Sequence, residues 1–125
     1  MSRLVLLRHG ESTANAEDTF AGWLDVPLTP RGLAQAEAVG RSLAALRPDA
    51  VHTSVLGRTI GTACLMATAA GWDMPLCQDW RLNERHYGAL QGLGKAEARV
   101  GTAPRMSRSG AGRSTSRLRR PPRSN

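Results

Sequence analysis

Two short segments hold residue types that can handle a charged group. Arg8-His9-Gly10-Glu11-Ser12 places a guanidinium, an imidazole, a glycine, a carboxyl and a hydroxyl in consecutive positions. A histidine in that company can be a general base, a metal ligand, a nucleophile or a structural residue. Its neighbours point to the kind of ligand more than to the role. Arg8 offers a planar fork that suits phosphate oxygens, and Gly10 lets the backbone approach a bound group closely. Ser12, Thr13 and Asn15 add hydroxyl and amide donors. The second segment, Leu82-Asn83-Glu84-Arg85-His86-Tyr87-Gly88-Ala89-Leu90-Gln91-Gly92, gathers acid, base and amide groups with no clear period. Loops this rich in reactive types often carry function, but composition alone assigns none.

Alternating strands and helices would position these groups. Leu4-Val5-Leu6-Leu7 is a continuous apolar run suited to a central parallel strand, with Arg8 and His9 at its C-terminal end. Thr29-Pro30 reads as an N-cap followed by proline at the first helical position. Leu33, Ala36, Val39, Leu43 and Leu46 then recur at helical steps, Glu37 and Arg41 form an i,i+4 pair, and Pro48 closes the helix. Ala50-Val51-His52-Thr53 forms a second strand, and Ser54 caps a second helix. That helix faces inward through Leu56, Ile60, Cys64 and Ala67 and ends at Gly71. Pro75-Leu76-Cys77-Gln78 forms a third, shorter strand. This β-α-β-α-β order predicts a parallel sheet with helices on its faces. Ligands of such folds gather at the C-terminal strand ends, where His9 and Ser54 fall. On the same pattern His52 is a buried structural residue, Cys64 belongs to the core, and Trp72 and Trp80 are packing residues.

The chain has 125 residues, 41% of them hydrophobic and 22% charged, which suits one globular domain. No apolar run approaches the ~18–20 residues that cross a bilayer, and the N-terminal stretch is too short for a secretory signal. A cytoplasmic protein is the default. Cys64 and Cys77 match no metal-ligand spacing and are too few for a disulfide scaffold. The net charge of +7 is unevenly spread. Residues 1–98 carry nine Lys/Arg against ten Asp/Glu, whereas residues 99–125 carry eight Arg and no acid. Of those last 27 residues, 21 are Arg, Ser, Gly, Ala or Pro, so the segment reads as a disordered basic tail. The domain reading is therefore 1–98 folded and 99–125 tail.

The chain resembles the 2,3-bisphosphoglycerate-dependent phosphoglycerate mutases, a branch of the histidine phosphatase superfamily. The resemblance rests on the two segments above, on Phe20-Ala21-Gly22-Trp23-Leu24-Asp25-Val26-Pro27-Leu28-Thr29, and on Thr53-Ser54-Val55-Leu56-Gly57-Arg58. Trp80-Arg81-Leu82 and Gly92-Leu93-Gly94-Lys95-Ala96-Glu97 extend it. The first motif is shared across the superfamily, and residues 84–91 single out the mutase branch. The resemblance implies an α/β, three-layer α/β/α fold with a mainly parallel sheet, incomplete on its C-terminal side. It also implies interconversion of 3- and 2-phosphoglycerate in glycolysis and gluconeogenesis through a phosphohistidine on His9. Arg8 and Arg58 match the family's phosphate-clamping arginines, and Glu84 matches its proton donor and acceptor, a task that favours a carboxyl of raised pKa. Gly10, Glu11, Ser12, Thr13, Ala14, Asn15, Ala21, Gly22, Arg85, His86, Tyr87 and Lys95 fall in its substrate-binding stretches, Ala21 and Gly22 through backbone. The implied cofactor is 2,3-bisphosphoglycerate, which primes the histidine, with no metal. The implied partners are small phosphorylated substrates, with no membrane and a possible homo-oligomer in full-length members.

The chain departs from the family in places. Gly57 and Gly61 stand where basic residues are usual, and Gly94 replaces a usual Asn. After Glu97 the family continues with a paired arginine, further strands and a second active-site histidine, whereas His86 is the last histidine here. The tail fits an out-of-frame translation of a GC-rich gene, and the chain reads as truncated and weakly active or inactive. Two other readings compete with the mutase. One is a histidine-type phosphatase of broader specificity that passes the phosphoryl group to water. The other is an inactive remnant whose basic tail binds a polyanion. Nucleic acid is disfavoured as a partner, because the tail lacks aromatic side chains for base stacking.

Overall fold

Thr29 opens the first long helix as the sequence indicates. Its hydroxyl accepts the Gly32 N–H at 3.1 Å, and Pro30 follows at a position where a missing N–H costs nothing. The computed structural model describes residues 1–100. A short helix α1 (Thr13–Ala16) precedes α2 (Pro30–Ser42); strand β1 (Val51–Thr53), helix α3 (Gly57–Ala70) and strand β2 (Leu76–Gln78) follow. One 3-10 turn, Trp80–Leu82, leads into the reactive second segment, a second, Gly88–Leu90, lies within it, and residues 95–100 are helical. Residues Met1–Lys95 cluster into one compact unit. The expected boundary at 98/99 falls inside the helix at 95–100, so Arg99 and Val100 are helical rather than the start of a disordered tail, and the rest of that tail, from Gly101 onward, lies outside the described residues.

The α/β class holds. β1 and β2 pair in parallel, with Val51 opposite Leu76, His52 opposite Cys77 and Thr53 opposite Gln78, and α3 is the crossover between them. Among the described residues the sheet has two strands, and the expected first strand is not one of them. Residues 4–7 have no ladder, and Leu4 and Leu6 are 83% and 82% exposed. An apolar run states a demand for burial; a strand exists only where a neighbour takes its N–H and C=O groups.

The two long helices meet through small side chains rather than through the leucines. The buried face of α2 is Gly32, Ala36 and Gly40, one helical turn apart, while Leu33 is exposed and Leu43 and Leu46 are half-buried. At Gly40 a Cβ would stand 2.5 Å from the Met66 carbonyl oxygen of α3, so the backbones touch where larger residues would hold them apart. The helix ends at Ser42, before Pro48, because Leu43 leaves helical geometry and its N–H closes the final turn onto Val39 and Gly40 carbonyls. Helix α3 ends at Gly71, as expected, in the left-handed conformation at φ 72°. Its start differs: Leu56 is the N-cap, and the Ser54 hydroxyl accepts the Leu56 N–H and pairs with the Thr59 hydroxyl one turn on. Cys64 is exposed and is not a core residue, because the inward face of α3 is Arg58, Thr62, Ala63, Met66 and Ala70. His52 is also exposed, on the open face of a two-stranded sheet. Trp72 packs half-buried and donates from Nε1 to the Leu46 carbonyl, whereas Trp80 is 62% exposed and meets Trp23 edge-on.

Candidate active site

Three tethers fix the backbone just after His9. Residues 11–13 lie antiparallel to residues 27–29: Ser12 bridges Leu28, Thr13 N–H donates to the Pro27 carbonyl and Thr29 N–H to that of Glu11. Gly10 and Gly32 pack backbone to backbone, since a Cβ on Gly10 would collide with the Gly32 carbonyl oxygen. The Gly10 N–H donates to the Thr62 hydroxyl of α3 at 3.0 Å. A capping box then starts α1. Ser12 N–H and hydroxyl donate to Asn15 Oδ1, and Asn15 N–H donates back to Ser12 Oγ.

His9 itself is half-buried, and its Nδ1 lies 2.7 Å from the Gly10 carbonyl oxygen. A carbonyl only accepts, so Nδ1 carries the proton and the neutral ring keeps its lone pair on Nε2. The His9 pKa lies below the ordinary 6.5, chiefly through burial; the Gly10 bond opposes this, and the charges of Arg58 and Arg8 add to it. The imidazole is thus held neutral and in one tautomer.

Arg58, in the first turn of α3, is 1% exposed, the largest fully buried side chain among the described residues. Its Nη1 donates to the Leu24 carbonyl at 2.8 Å, and its Nη2 donates to the Gly22 carbonyl at 2.7 Å and to Glu84 Oε2 at 3.1 Å. A buried guanidinium needs such partners, and here one side chain closes the 22–24 loop against α3 and orients the carboxylate. Tyr87 donates its hydroxyl to the other Glu84 oxygen at 3.2 Å. The Trp23 indole donates to the Glu84 backbone carbonyl at 2.7 Å, and Trp23 N–H donates to Gln91 Oε1. Asn83 accepts the Val55 N–H. The second segment is therefore pinned onto the first half of the chain on both sides of Glu84.

These residues share one cleft of about 60 Å³ that opens to solvent. Arg8, His9, Ser12, Ala14, Asn15, Ala21, Arg58, Glu84, Tyr87 and Lys95 line it, together with Thr19 and Phe20, which sequence reading had not singled out as site residues. A wider groove adjoins it, sharing Arg8, His9, Asn15 and Lys95 and adding Glu11 and Gln35. Lys95 reaches the cleft because residues 18–20 pair with 92–95, Phe20 N–H bonding to Leu93 and Lys95 N–H to Asp18. The remaining candidates stand back from the cleft. Gly10 and Gly22 are buried supports, and Thr13 belongs to the α1 turn. Glu11 accepts from Thr29 and approaches Arg31 at 3.9 Å. Arg85 lies over the Tyr87 ring, and His86 packs edge-on against Trp23 while its Nδ1 accepts the Gly88 N–H. Thr62 is the other residue that sequence reading missed; its one signal is its place one turn after Arg58.

Three cationic side chains, one neutral imidazole and one carboxylate around a single polar cleft can receive a phosphorylated small molecule. No group of three or more His, Cys, Asp and Glu side chains fit to hold a metal occurs among the described residues.

Comparison with known proteins gives the family. The family model described as histidine phosphatase superfamily (branch 1) matches residues 4–120. A 2,3-bisphosphoglycerate-dependent phosphoglycerate mutase of Thermobifida fusca is 57% identical over 104 residues, covering 80% of this chain and 42% of that protein. The chain thus spans about two fifths of the length of the curated relatives it matches. Among solved structures, a mycobacterial glucosyl-3-phosphoglycerate phosphatase complexed with VO3 superposes with a TM-score of 0.71 at 29% identity, covering 79% of this chain and 49% of that one. A phosphoglycerate mutase from Bacillus anthracis superposes with a TM-score of 0.67 at 29% identity, covering 68% and 38%. With the histidine, two arginines and a carboxylate converging on one cleft inside the matched span, the chain belongs to the histidine phosphatase superfamily.

Proposed function

We propose that residues 1–98 are the N-terminal part of a cytoplasmic 2,3-bisphosphoglycerate-dependent phosphoglycerate mutase, acting on 3- and 2-phosphoglycerate. One observation carries this reading: His9, with its Nδ1 proton committed to Gly10, lines the same cleft as Arg58 and Glu84. The donor set suits a bisphosphorylated acid, since Arg8, Arg58 and Lys95 supply positive charge where phosphate and carboxylate oxygens must be balanced. When bound, 2,3-bisphosphoglycerate supplies the phosphoryl group that primes the enzyme. The chain's own residues do the rest. His9 Nε2 attacks phosphorus and holds the group as phosphohistidine, dividing one hard transfer into two easier ones. Arg8 and Arg58 offset charge on the equatorial oxygens. Glu84, steadied by Arg58 and Tyr87, takes the proton from the attacking substrate hydroxyl and returns it to the leaving one.

Incubation of the 125-residue chain with 2,3-bisphosphoglycerate, followed by mapping of acid-labile phosphate, tests the first step. Phosphate on His9, absent in His9→Ala, is expected; its absence from the wild-type chain overturns the reading. Interconversion of the two phosphoglycerates tests the second. Glu84→Gln is expected to leave His9 phosphorylation by phosphoramidate within about twofold while lowering phosphoryl return to a substrate hydroxyl by ~10²–10⁴. Turnover by this chain is expected to be slow, because the Glu84 carboxylate is open to solvent and water is not excluded from it. That openness also favours a second reading. Glu84 is 41% exposed, so water can reach it and accept the phosphoryl group, which is phosphatase chemistry. Release of inorganic phosphate faster than formation of 2-phosphoglycerate would select it.

A further inference from the structure

We infer that Thr62 is a positioning residue that holds His9 in its phosphoryl-accepting tautomer. The inference deepens the His9 reading above and rests on it. Thr62 is 6% exposed in the middle of α3, and its hydroxyl is used twice. It donates to the Arg58 carbonyl one turn earlier at 2.7 Å and accepts the Gly10 N–H at 3.0 Å. The first bond turns the oxygen's lone pairs away from its own helix and toward Gly10, where the second bond forms. Gly10 is held from its other side by the Gly32 backbone, so it cannot shift toward α2. Its carbonyl is the acceptor for His9 Nδ1 at 2.7 Å. A continuous path therefore runs from the helix that carries Arg58, through one hydroxyl and one glycine, to the ring nitrogen opposite the reacting one. Valine has the shape of threonine but neither hydrogen-bonding capacity, and would leave the Gly10 N–H buried without a partner.

The site fixes two things at once through this path. The buried Arg58 guanidinium and the accepting imidazole are referenced to the same turn of α3, which sets their spacing. The Nδ1 proton also stays on the side away from phosphorus, so the Nε2 lone pair is not lost to the other tautomer.

The test uses the full chain labelled with ¹⁵N histidine and compares wild type with Thr62→Val, Thr62→Ala and Thr62→Ser. Ring nitrogen shifts of His9 report the tautomer, and phosphoramidate serves as phosphoryl donor: the Nε2–P bond forms as the donor's P–N bond breaks and ammonia leaves. Wild type and Thr62→Ser are expected to show a single Nδ1–H tautomer. Thr62→Val and Thr62→Ala are expected to show a mixture and to be phosphorylated ~10–100-fold more slowly, the size expected for misplacement of a reacting group. A folded Val or Ala variant with the wild-type tautomer and rate overturns the inference, and so does a folded Thr62→Ser variant that loses them. Should wild-type His9 take no phosphate at all, the mutase reading fails, while the tautomer comparison still decides the role of Thr62.

Discussion

His9 shows how a single side chain is prepared by burial and one hydrogen bond. Burial lowers its pKa from 6.5, and the neighbouring guanidiniums act in the same direction. The neutral ring, with its Nε2 lone pair free, therefore persists to lower pH than a free histidine would allow. Its phosphorylation by phosphoramidate should fall off on acidification with a midpoint below pH 6.5, as a rate profile from pH ~5 to ~8 would record. The same shift bears on stability. The unfolded chain takes up this proton near 6.5 and the folded chain only below it, so acidification through that window favours unfolding. His9→Gln should flatten that part of the stability-versus-pH curve. At this scale the cleft-lining candidates Arg8, His9 and Glu84 could be picked out in the residue order, because they sit in segments rich in reactive types, and the structure brings them to one cleft. Thr62 could not be, since a threonine inside a helix looks like any other until Gly10 is found against it.

The elements were legible where local rules decide them. Thr29, Pro30 and Gly71 mark helix ends through capping chemistry that needs no tertiary context, and all three hold. Which face of a helix turns inward is a tertiary matter, and there the leucine pattern misled. The α2–α3 contact is built on Gly32, Ala36 and Gly40, a close approach that hydrophobic periodicity does not register. Gly40→Ala measures how tight that contact is. Alanine gains ~1 kcal/mol in helix propensity, but the new methyl meets Met66 and Ala69 within 2.8 Å, and overpacking costs ~1–3 kcal/mol. A net loss of stability is expected, read as a lower denaturant midpoint with unchanged slope. Gly71→Ala should lose a similar ~1 kcal/mol for another reason, backbone conformation at φ 72° with open space around it.

At the scale of the molecule, the hydrophobic core among the described residues is slight. Its buried apolar residues are mostly alanines with Leu56 and Met66, while Leu4, Leu6, Trp80 and Val100 are each more than 60% exposed. An unpaired apolar run beside a two-stranded sheet is a template for association. The chain should self-associate in sedimentation at micromolar concentration, and Leu4→Lys with Leu6→Lys should shift it toward monomer; cooperative unfolding of a wild-type monomer would oppose this. The α/β class could be anticipated because strand and helix signals alternate, but the pairing of residues 4–7 could not, since a run of four apolar side chains names no neighbour. One consequence lies at the junction of that run with the site. All three tethers of the His9 loop come after the imidazole and none before it, so the ring hangs at the border between two regimes of backbone protection. Amide exchange should change abruptly across a single peptide link, rapid up to residue 9 and slowed from Gly10 onward.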